Sequence, residues 1–492
     1  MGSITDYLEN KTILVTGGTG FLGKIFVEKI LRVQPNIKNL YFLIRASDPY
    51  SAFHRLHSEV ISKDLFRVLK EKHGKNMNTF ISEKVIPVAG DIGLENFGVT
   101  NLDLLNEMWR TVDVVVCSAA STMFDERYDV AFATNTLGVE HVSDFVNNCT
   151  NIKLLLHVST AYVSGERSGI IFENPFKMGE TLNGKNDLNI KEERLVIQDR
   201  HRQLVPENAD EEAISSAMKN FGLQRANLHG WPNTYVFTKA MGEMLLLEGL
   251  RKDVSLVILR PTIITSTYKE PFPGWIEGIK TIDGFIASYG KGRTSCFLSD
   301  PDKVLDLIPG DMVINAMILA MVAHMNKPYS RIIYHVGSSM SNPLSISSFR
   351  NCVIDYFIKH PLMSRQGSPI ITTRDIKLLT STNSFNRYVA IRYMIPLKGI
   401  QCANILLCQT FSAWCHDAER KIKIVLRLAE LFKPYVLIHN IFDDANLNIL
   451  NGIVSESIGA EKETFFLDVK SINWEDYFTN IHIPGLVKYA LK

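Results

Sequence analysis

The sequence predicts an α/β fold in which a doubly wound parallel sheet precedes a smaller, mostly helical C-terminal domain. Three observations predict it. Short apolar runs alternate with helix-spaced segments from Lys11 to about Val163, and strands separated by helices pair in parallel through right-handed crossovers. A glycine triplet lies directly between the first strand and the first helix. Beyond about residue 365 the composition shifts, and basic and apolar residues dominate 375–435.

The elements follow in order. Residues 11–15 read as a strand and 23–33 as a helix. Further strands are expected at 40–44, 84–88, 112–117 and 153–158, with helical spacing across 102–110 and 138–149. This is a Rossmann-type pattern. Residues 164–230 break the alternation with charged, helix-rich sequence, which predicts an ordered helical insertion because long structureless loops are rare in compact domains. Alternation resumes with a helix after Tyr235 and a strand at 256–259, closed by Arg260 and Pro261. The division is a Rossmann-type domain over 1–365, with the helical insertion at 164–230, and a C-terminal domain over 366–492.

Bulk properties narrow the class. With 492 residues, 46% hydrophobic and 21% charged, the chain has the make-up of an ordinary globular protein. A net charge of +1 carries no basic excess to track phosphates, which argues against a nucleic-acid partner. Seven cysteines lack any CxxC pair, so a reducing compartment is expected and no metal centre is. The N-terminus shows neither a secretory signal nor room for a plastid transit peptide before the first strand. No run of about 18 to 20 apolar residues offers a membrane span. Residues 312–325 read as a buried core helix, whereas 396–414 suits core packing and membrane-surface contact equally well.

The stretch ILVTGGTGFLGK sets Gly17, Gly20 and Gly23 at GxxGxxG spacing. One glycine makes the strand-to-helix turn, one admits a pyrophosphate to the backbone, and one lets helix and strand pack closely. The helix N-terminus supplies free N–H groups and partial positive charge. The candidate cradle is therefore Thr16, Gly17, Gly18, Thr19, Gly20, Phe21, Leu22 and Gly23. Arg45 ends the second strand, where a guanidinium suits a 2′-phosphate and predicts NADP rather than NAD; the plainer alternatives are an exposed surface arginine or one paired to Asp48. Asp91 and Ile92 follow the third strand, and Ala119 and Ala120 the fourth, where small side chains let a cofactor lie against the backbone. Asn135 and Pro261 complete the candidate cofactor groove, together with Tyr235 and Lys239.

Tyr235 and Lys239 form YxxxK, which brings both side chains onto one helix face. A free tyrosine titrates near ~10, and a neighbouring ammonium is expected to lower that value. The third catalytic member should come from the end of the fifth strand, where Thr160 is preferred and Ser159 is a near rival. A hydroxyl there can donate to a substrate carbonyl alongside the tyrosine. His229 precedes Tyr235 closely enough to reach the same pocket, although a lone histidine is more often structural.

These residues resemble extended short-chain dehydrogenase/reductases. Longer segments, among them FDERYD, HVSTAYVSG, PFKMGETL, HGWPNTYVFTKAMGE, EPFPGWIEG, DLIPGDMVINAM and the ending SINWEDYFTNIHIPGLVKYALK, look like the alcohol-forming fatty acyl-CoA reductases of plants. The resemblance implies reduction of a long-chain acyl-CoA by two NADPH, through a thiohemiacetal and a bound aldehyde, to a primary alcohol. It places such alcohols in wax, suberin or sporopollenin lipid synthesis and the enzyme at the cytosolic face of the endoplasmic reticulum. Peripheral membrane association and a homo-oligomer are both compatible with it. The family has Asn where Cys117 stands, and residues 370–425 match it loosely. A sugar-nucleotide or flavonoid-type reductase shares the glycine loop and YxxxK, but not the long gap from Thr160 to Tyr235 or the C-terminal domain. A dinucleotide sensor and a membrane-surface scaffold are the non-enzymatic alternatives.

Overall fold

The computed structural model describes residues 3–204, 210–406, 409–456 and 460–491. Its centre is a seven-stranded sheet made of β1 (Thr12–Thr16), β2 (Asn39–Ile44), β3 (Val85–Ala89), β4 (Val114–Cys117), β5 (Leu154–Val158), β6 (Ser255–Pro261) and β7 (Arg331–Val336). The spatial order is β7-β6-β5-β4-β1-β2-β3, and every pair is parallel. This is the Rossmann-type doubly wound sheet. The order reverses between β1 and β4, and in such sheets the crevice beyond the strands' carboxyl ends at that point receives the ligand.

Strands sandwiched between helices must be apolar on both faces. In β1, Ile13 and Val15 enter one core while Leu14 enters the other, as the two-residue period requires. The first core takes α1 (Phe21–Val33) and the second takes the end of α2 (Thr234–Gly249) with Val142 and Phe145. The stretch 312–325 forms most of α3 (Gly310–His324), which is buried nearly throughout and packs on α1. α1 also buries charge: Glu28 pairs with Arg32 at 2.9 Å, and Lys29 and Arg32 both reach Glu270.

The segment 164–230 contributes a short strand, Gly169–Ile171, and two helices, Ile190–Leu204 and Glu211–Leu228; residues 205–209 lie outside the described set. Its core includes Trp231, Phe237 and Met241 of the catalytic region. Two helices of the C-terminal region, α4 (Ile395–Leu406) and α5 (Ser412–Leu437), stand beside the sheet's carboxyl edge and contact each other. The chain then returns inward. Asn440–Phe442 pairs in parallel with Gly169–Ile171, the Tyr477 hydroxyl lies 2.7 Å from Thr265 Oγ1, and His482 bridges Asp283 (3.0 Å) and Ser266 (3.1 Å). Among the described residues no helix is long and apolar enough to cross a membrane.

Candidate active site

A cavity of about 1140 Å³ opens at the carboxyl ends of the strands. It exceeds the usual ~300–1,000 Å³ of a single-ligand pocket, which leaves room for a dinucleotide and a substrate together.

The glycine loop forms one wall, with Gly17, Thr19, Gly20, Phe21, Leu22 and Gly23 all facing the cavity. Gly17 has φ of +71°, and a Cβ there would lie 2.5 Å from the Ala119 nitrogen. A Cβ on Gly23 would meet the Gly17 carbonyl at 2.5 Å, whereas one on Gly20 meets only that carbonyl, at 3.2 Å. The open side of Gly20 and the free N–H groups at the start of α1 are where a pyrophosphate could approach the backbone. Gly18 turns inward against Phe42, and Thr16 lies beneath the loop, accepting from the Ala119 N–H at 3.3 Å.

The remaining cofactor candidates divide in two. Arg45, Asp91, Ile92, Ala119 and Ala120 line the cavity. Arg45 sits 3.6 Å from Asp91 and not against Asp48, whose carboxylate instead accepts from the Ser51 N–H to start the helix Pro49–Arg55. Asn135 and Pro261 stand behind the wall. Asn135 clamps the backbone of Ser121 through both its amide atoms and also donates to Thr238, holding the segment after β4 against α2. The Pro261 carbonyl accepts from Thr160 at 3.4 Å.

Tyr235, Thr160 and Ser159 reach the same cavity. Asn233 caps α2 by accepting from the Val236 N–H at 3.2 Å, which sets Tyr235 in the first turn. The Thr160 hydroxyl facing the Tyr235 phenol acts to lower its pKa, but burial outweighs that influence and pushes the phenol up to about 12. The expected lowering by Lys239 is therefore reversed: desolvation dominates, and the phenol is held as a proton donor. Burial likewise pushes Lys239 down to about 8. Its Nζ stands behind the wall, donating to the Val158 carbonyl at 2.7 Å and facing His157 Nε2 at 3.3 Å. Burial, then the Lys239 charge, holds His157 neutral so that it can accept. Ser159 Oγ is buried without a partner among the described residues, beside the cavity.

His229 is drawn away from this group. It does not line the cavity; its Nε2 lies 3.2 Å from Glu193 and its ring stacks on Phe237 at 5.4 Å. Burial raises the Glu193 carboxyl, but hydrogen bonds from His229, Arg225 and Tyr128 prevail and bring it down to about 2. A histidine committed to that cluster ties the insertion to α2, which corrects its expected place in the pocket.

Sequence reasoning missed several wall residues. Phe124 stacks on Tyr235 at 6.0 Å and meets Phe432 and Tyr435 of α5 at 5.4 and 5.0 Å. Asn233 donates to the Tyr435 hydroxyl at 2.6 Å, and Arg427 pairs with Asp125 at 2.9 Å. The FDERYD segment just after β4 was the available signal for Phe124; nothing local marked Phe432 or Tyr435. Lys280 faces the cavity with its Nζ 4.9 Å above the Phe21 ring, and makes no ion pair among the described residues. Beyond the tyrosine the lining turns apolar, with Phe285, Phe297, Leu298, Phe349, Phe385 and Leu428. Cys296 also faces it, but burial pushes its thiol up to about 11 and keeps it protonated.

The chain is similar to known proteins over its whole length. An NAD-binding family model described as "Male sterility protein" matches residues 15–317, and a second model with the same description matches 392–492. The "Probable fatty acyl-CoA reductase 4" of Arabidopsis thaliana is 50% identical over 99% of this chain and 98% of its own length. The "Alcohol-forming fatty acyl-CoA reductase" of Simmondsia chinensis is 48% identical over 100% and 99%. Among solved structures, the terminal R domain of the myxalamid PKS-NRPS pathway superposes with a TM-score of 0.55 at 18% identity, covering 94% of this chain and 90% of its own, which shows the shared fold. The glycine loop thus belongs to a nicotinamide-dependent reductase scaffold, and the chain is a member of the fatty acyl-CoA reductase, or male sterility protein, family.

Proposed function

We propose that the protein reduces long-chain fatty acyl-CoA to the primary alcohol with NADPH, releasing CoA and keeping the aldehyde bound between two reductions. The observation that carries this reading is a single cavity. The glycine cradle, the Tyr235–Thr160 pair and a long apolar lining all face it. Arg45 at the end of β2, exposed toward the cavity, favours NADPH over NADH. We keep the division at residue 365, with the apolar walls shared between the two parts.

Bound NADPH supplies hydride. The chain's own groups do the rest. The protonated Tyr235 phenol donates to the thioester oxygen, and Thr160 or Ser159 adds a second donor, so charge developing on that oxygen meets fixed dipoles in a water-poor site. CoA leaves as the thiolate when the carbonyl re-forms. In the second reduction Tyr235 passes its proton to the aldehyde oxygen, giving the alcohol. Lys239, through its bonds to Val158 and His157, ties α2 to the end of β5, from which Ser159 and Thr160 follow. Burial keeps the Cys296 thiol protonated, and this route needs no acyl-cysteine.

Alcohols of this class feed wax, suberin or sporopollenin lipids, and an amphiphilic substrate suits a protein attached peripherally to the cytosolic face of the endoplasmic reticulum. The test is NADPH oxidation with palmitoyl- and stearoyl-CoA by wild type and Tyr235→Phe, with cofactor affinity measured in parallel. A general acid contributes roughly 10²–10⁴-fold, so the variant should bind NADPH normally and lose activity on that scale. Tight NADPH binding without turnover of any acyl-CoA overturns the reading.

A further inference from the structure

The helical run of Thr382–Val389, Ala390–Met394 and α4 turns back into α5, and the two legs are joined by bonds from Asn404 to Ser412 (3.1 Å) and from the Phe411 N–H to Asn404 (2.8 Å). Its inner side belongs to the site: Leu428, Phe432 and Tyr435 of α5 wall the cavity. Its outer side does not. Ile395 and Ile405 of α4 fall about 80° apart at 3.6 residues per turn, and they are 61% and 72% exposed, with Ile391 just before them 57% exposed. At the turn, Phe411 and Trp414 are 50% and 54% exposed. Of the stretch 396–414, Leu397, like Asn404, is buried, so core packing does not account for it; residues 407 and 408 lie outside the described set.

The hairpin also carries an excess of positive charge, although Arg420, Lys421, Lys423, Arg427 and Lys433 are ion-paired. From 382 to 437 there are eight Lys or Arg against three Asp or Glu, a net +5 in a chain whose whole charge is +1. Arg392 and Lys398 are exposed and make no ion pair among the described residues. Exposed apolar side chains with unpaired cations on the same helical run, in a helix pair too polar to span, fit the surface of an anionic bilayer. A second copy of the chain fits less well, since two faces of this charge repel.

We propose that the hairpin tip is the membrane anchor: Ile405, Phe411 and Trp414 enter the acyl boundary of an anionic bilayer while Arg392 and Lys398 meet its headgroups. This rests on the peripheral-membrane reading above and adds the surface responsible. Because the same hairpin walls the cavity, docking sets the apolar end of the site against the bilayer, the place from which a long acyl chain arrives.

The test uses full-length protein and vesicles of phosphatidylcholine, with and without phosphatidylinositol. Trp231, Trp275 and Trp474 are buried and Trp109 is half-buried, so Trp414 reports on the tip. Wild type is expected to float with the anionic vesicles, to be released by salt, and to show a blue-shifted emission quenched by lipids brominated on the acyl chain. The triple variant Ile405→Ser, Phe411→Ser, Trp414→Ser should lose vesicle binding at least about tenfold, with melting temperature and turnover of water-soluble octanoyl-CoA retained. Undiminished flotation of the triple variant overturns the anchor while leaving peripheral attachment standing. Wild type that floats with neither vesicle overturns the membrane reading itself. A triple variant that turns from dimer to monomer with unchanged flotation overturns the proposal in favour of a self-association face.

Discussion

Replacing the loop glycines one at a time separates folding from cofactor binding, because they face different neighbours. At Gly17 a left-handed backbone meets a crowded site, with the new Cβ 2.5 Å from Ala119 N and 2.6 Å from Ala119 Cα. The backbone costs an L-residue roughly 1–2 kcal/mol and overpacking roughly 1–3 kcal/mol, so Gly17→Ala should lose about 2–5 kcal/mol of stability. At Gly20 the backbone is already extended, φ −80° and ψ 173°, and one protein atom lies near the added methyl, at 3.2 Å. Strain there stays below about 1 kcal/mol, while the methyl takes the space against which a pyrophosphate would rest. A tenfold weaker Kd corresponds to about 1.4 kcal/mol, and Gly20→Ala should lose at least that much NADPH affinity. Thermal unfolding and NADPH fluorescence titration read the two effects separately. Gly17→Ala should melt well below wild type, and Gly20→Ala should melt with it but bind poorly. Unchanged NADPH affinity in Gly20→Ala refutes the placement of the phosphates on this loop.

Arg45→Ser should weaken NADPH by about tenfold or more, the worth of one charge-assisted hydrogen bond, and leave NADH unchanged; equal loss for both cofactors removes the 2′-phosphate assignment. Lys239 moves from 10.5 to about 8 on folding, so between those pH values the unfolded chain holds the extra proton and the native state gains stability as pH rises. Lys239→Met abolishes that contribution. Its stability relative to wild type should be highest below pH 8 and decline towards pH 10.5, measured by urea unfolding at pH 7 and pH 10. His229→Gln should cost about 1 kcal/mol of stability through the Glu193 bond yet keep turnover within about threefold. A collapse of kcat at unchanged melting temperature returns His229 to the chemistry.

Much of the frame was legible because both faces of the sheet are covered. Continuous apolar runs marked β1 to β6 to within a residue or two, and the turn glycines marked the cradle. β7 escaped as a strand. Its RIIYHV run carries polar groups whose partners are distant in sequence: the His335 N–H donates to Glu173, and His335 Nδ1 reaches the Asp443 carbonyl. Lys24, Glu28 and Lys29 look like a solvated helix face, yet Glu270 and Glu277 arrive from about 240 residues away to cover them. A longer separation, 308 and 311 residues, hid Phe432 and Tyr435 behind Phe124. Tyr235 and Thr160 could be found from spacing, but the direction of the tyrosine's shift could not, since desolvation depends on what packs around the phenol. Arg45 could be placed at a strand end, while its pairing with Asp91 needed β2 and β3 side by side.

The most direct test of the account follows the label from NADPH carrying deuterium at the transferred C4 position. The purified chain is given stearoyl-CoA, and the products are identified by mass together with the CoA released. Octadecanol carrying two deuterium atoms on carbon 1, with two NADPH oxidised per CoA, is the predicted result. Singly labelled octadecanal accumulating at one NADPH per CoA, with no alcohol, contradicts it.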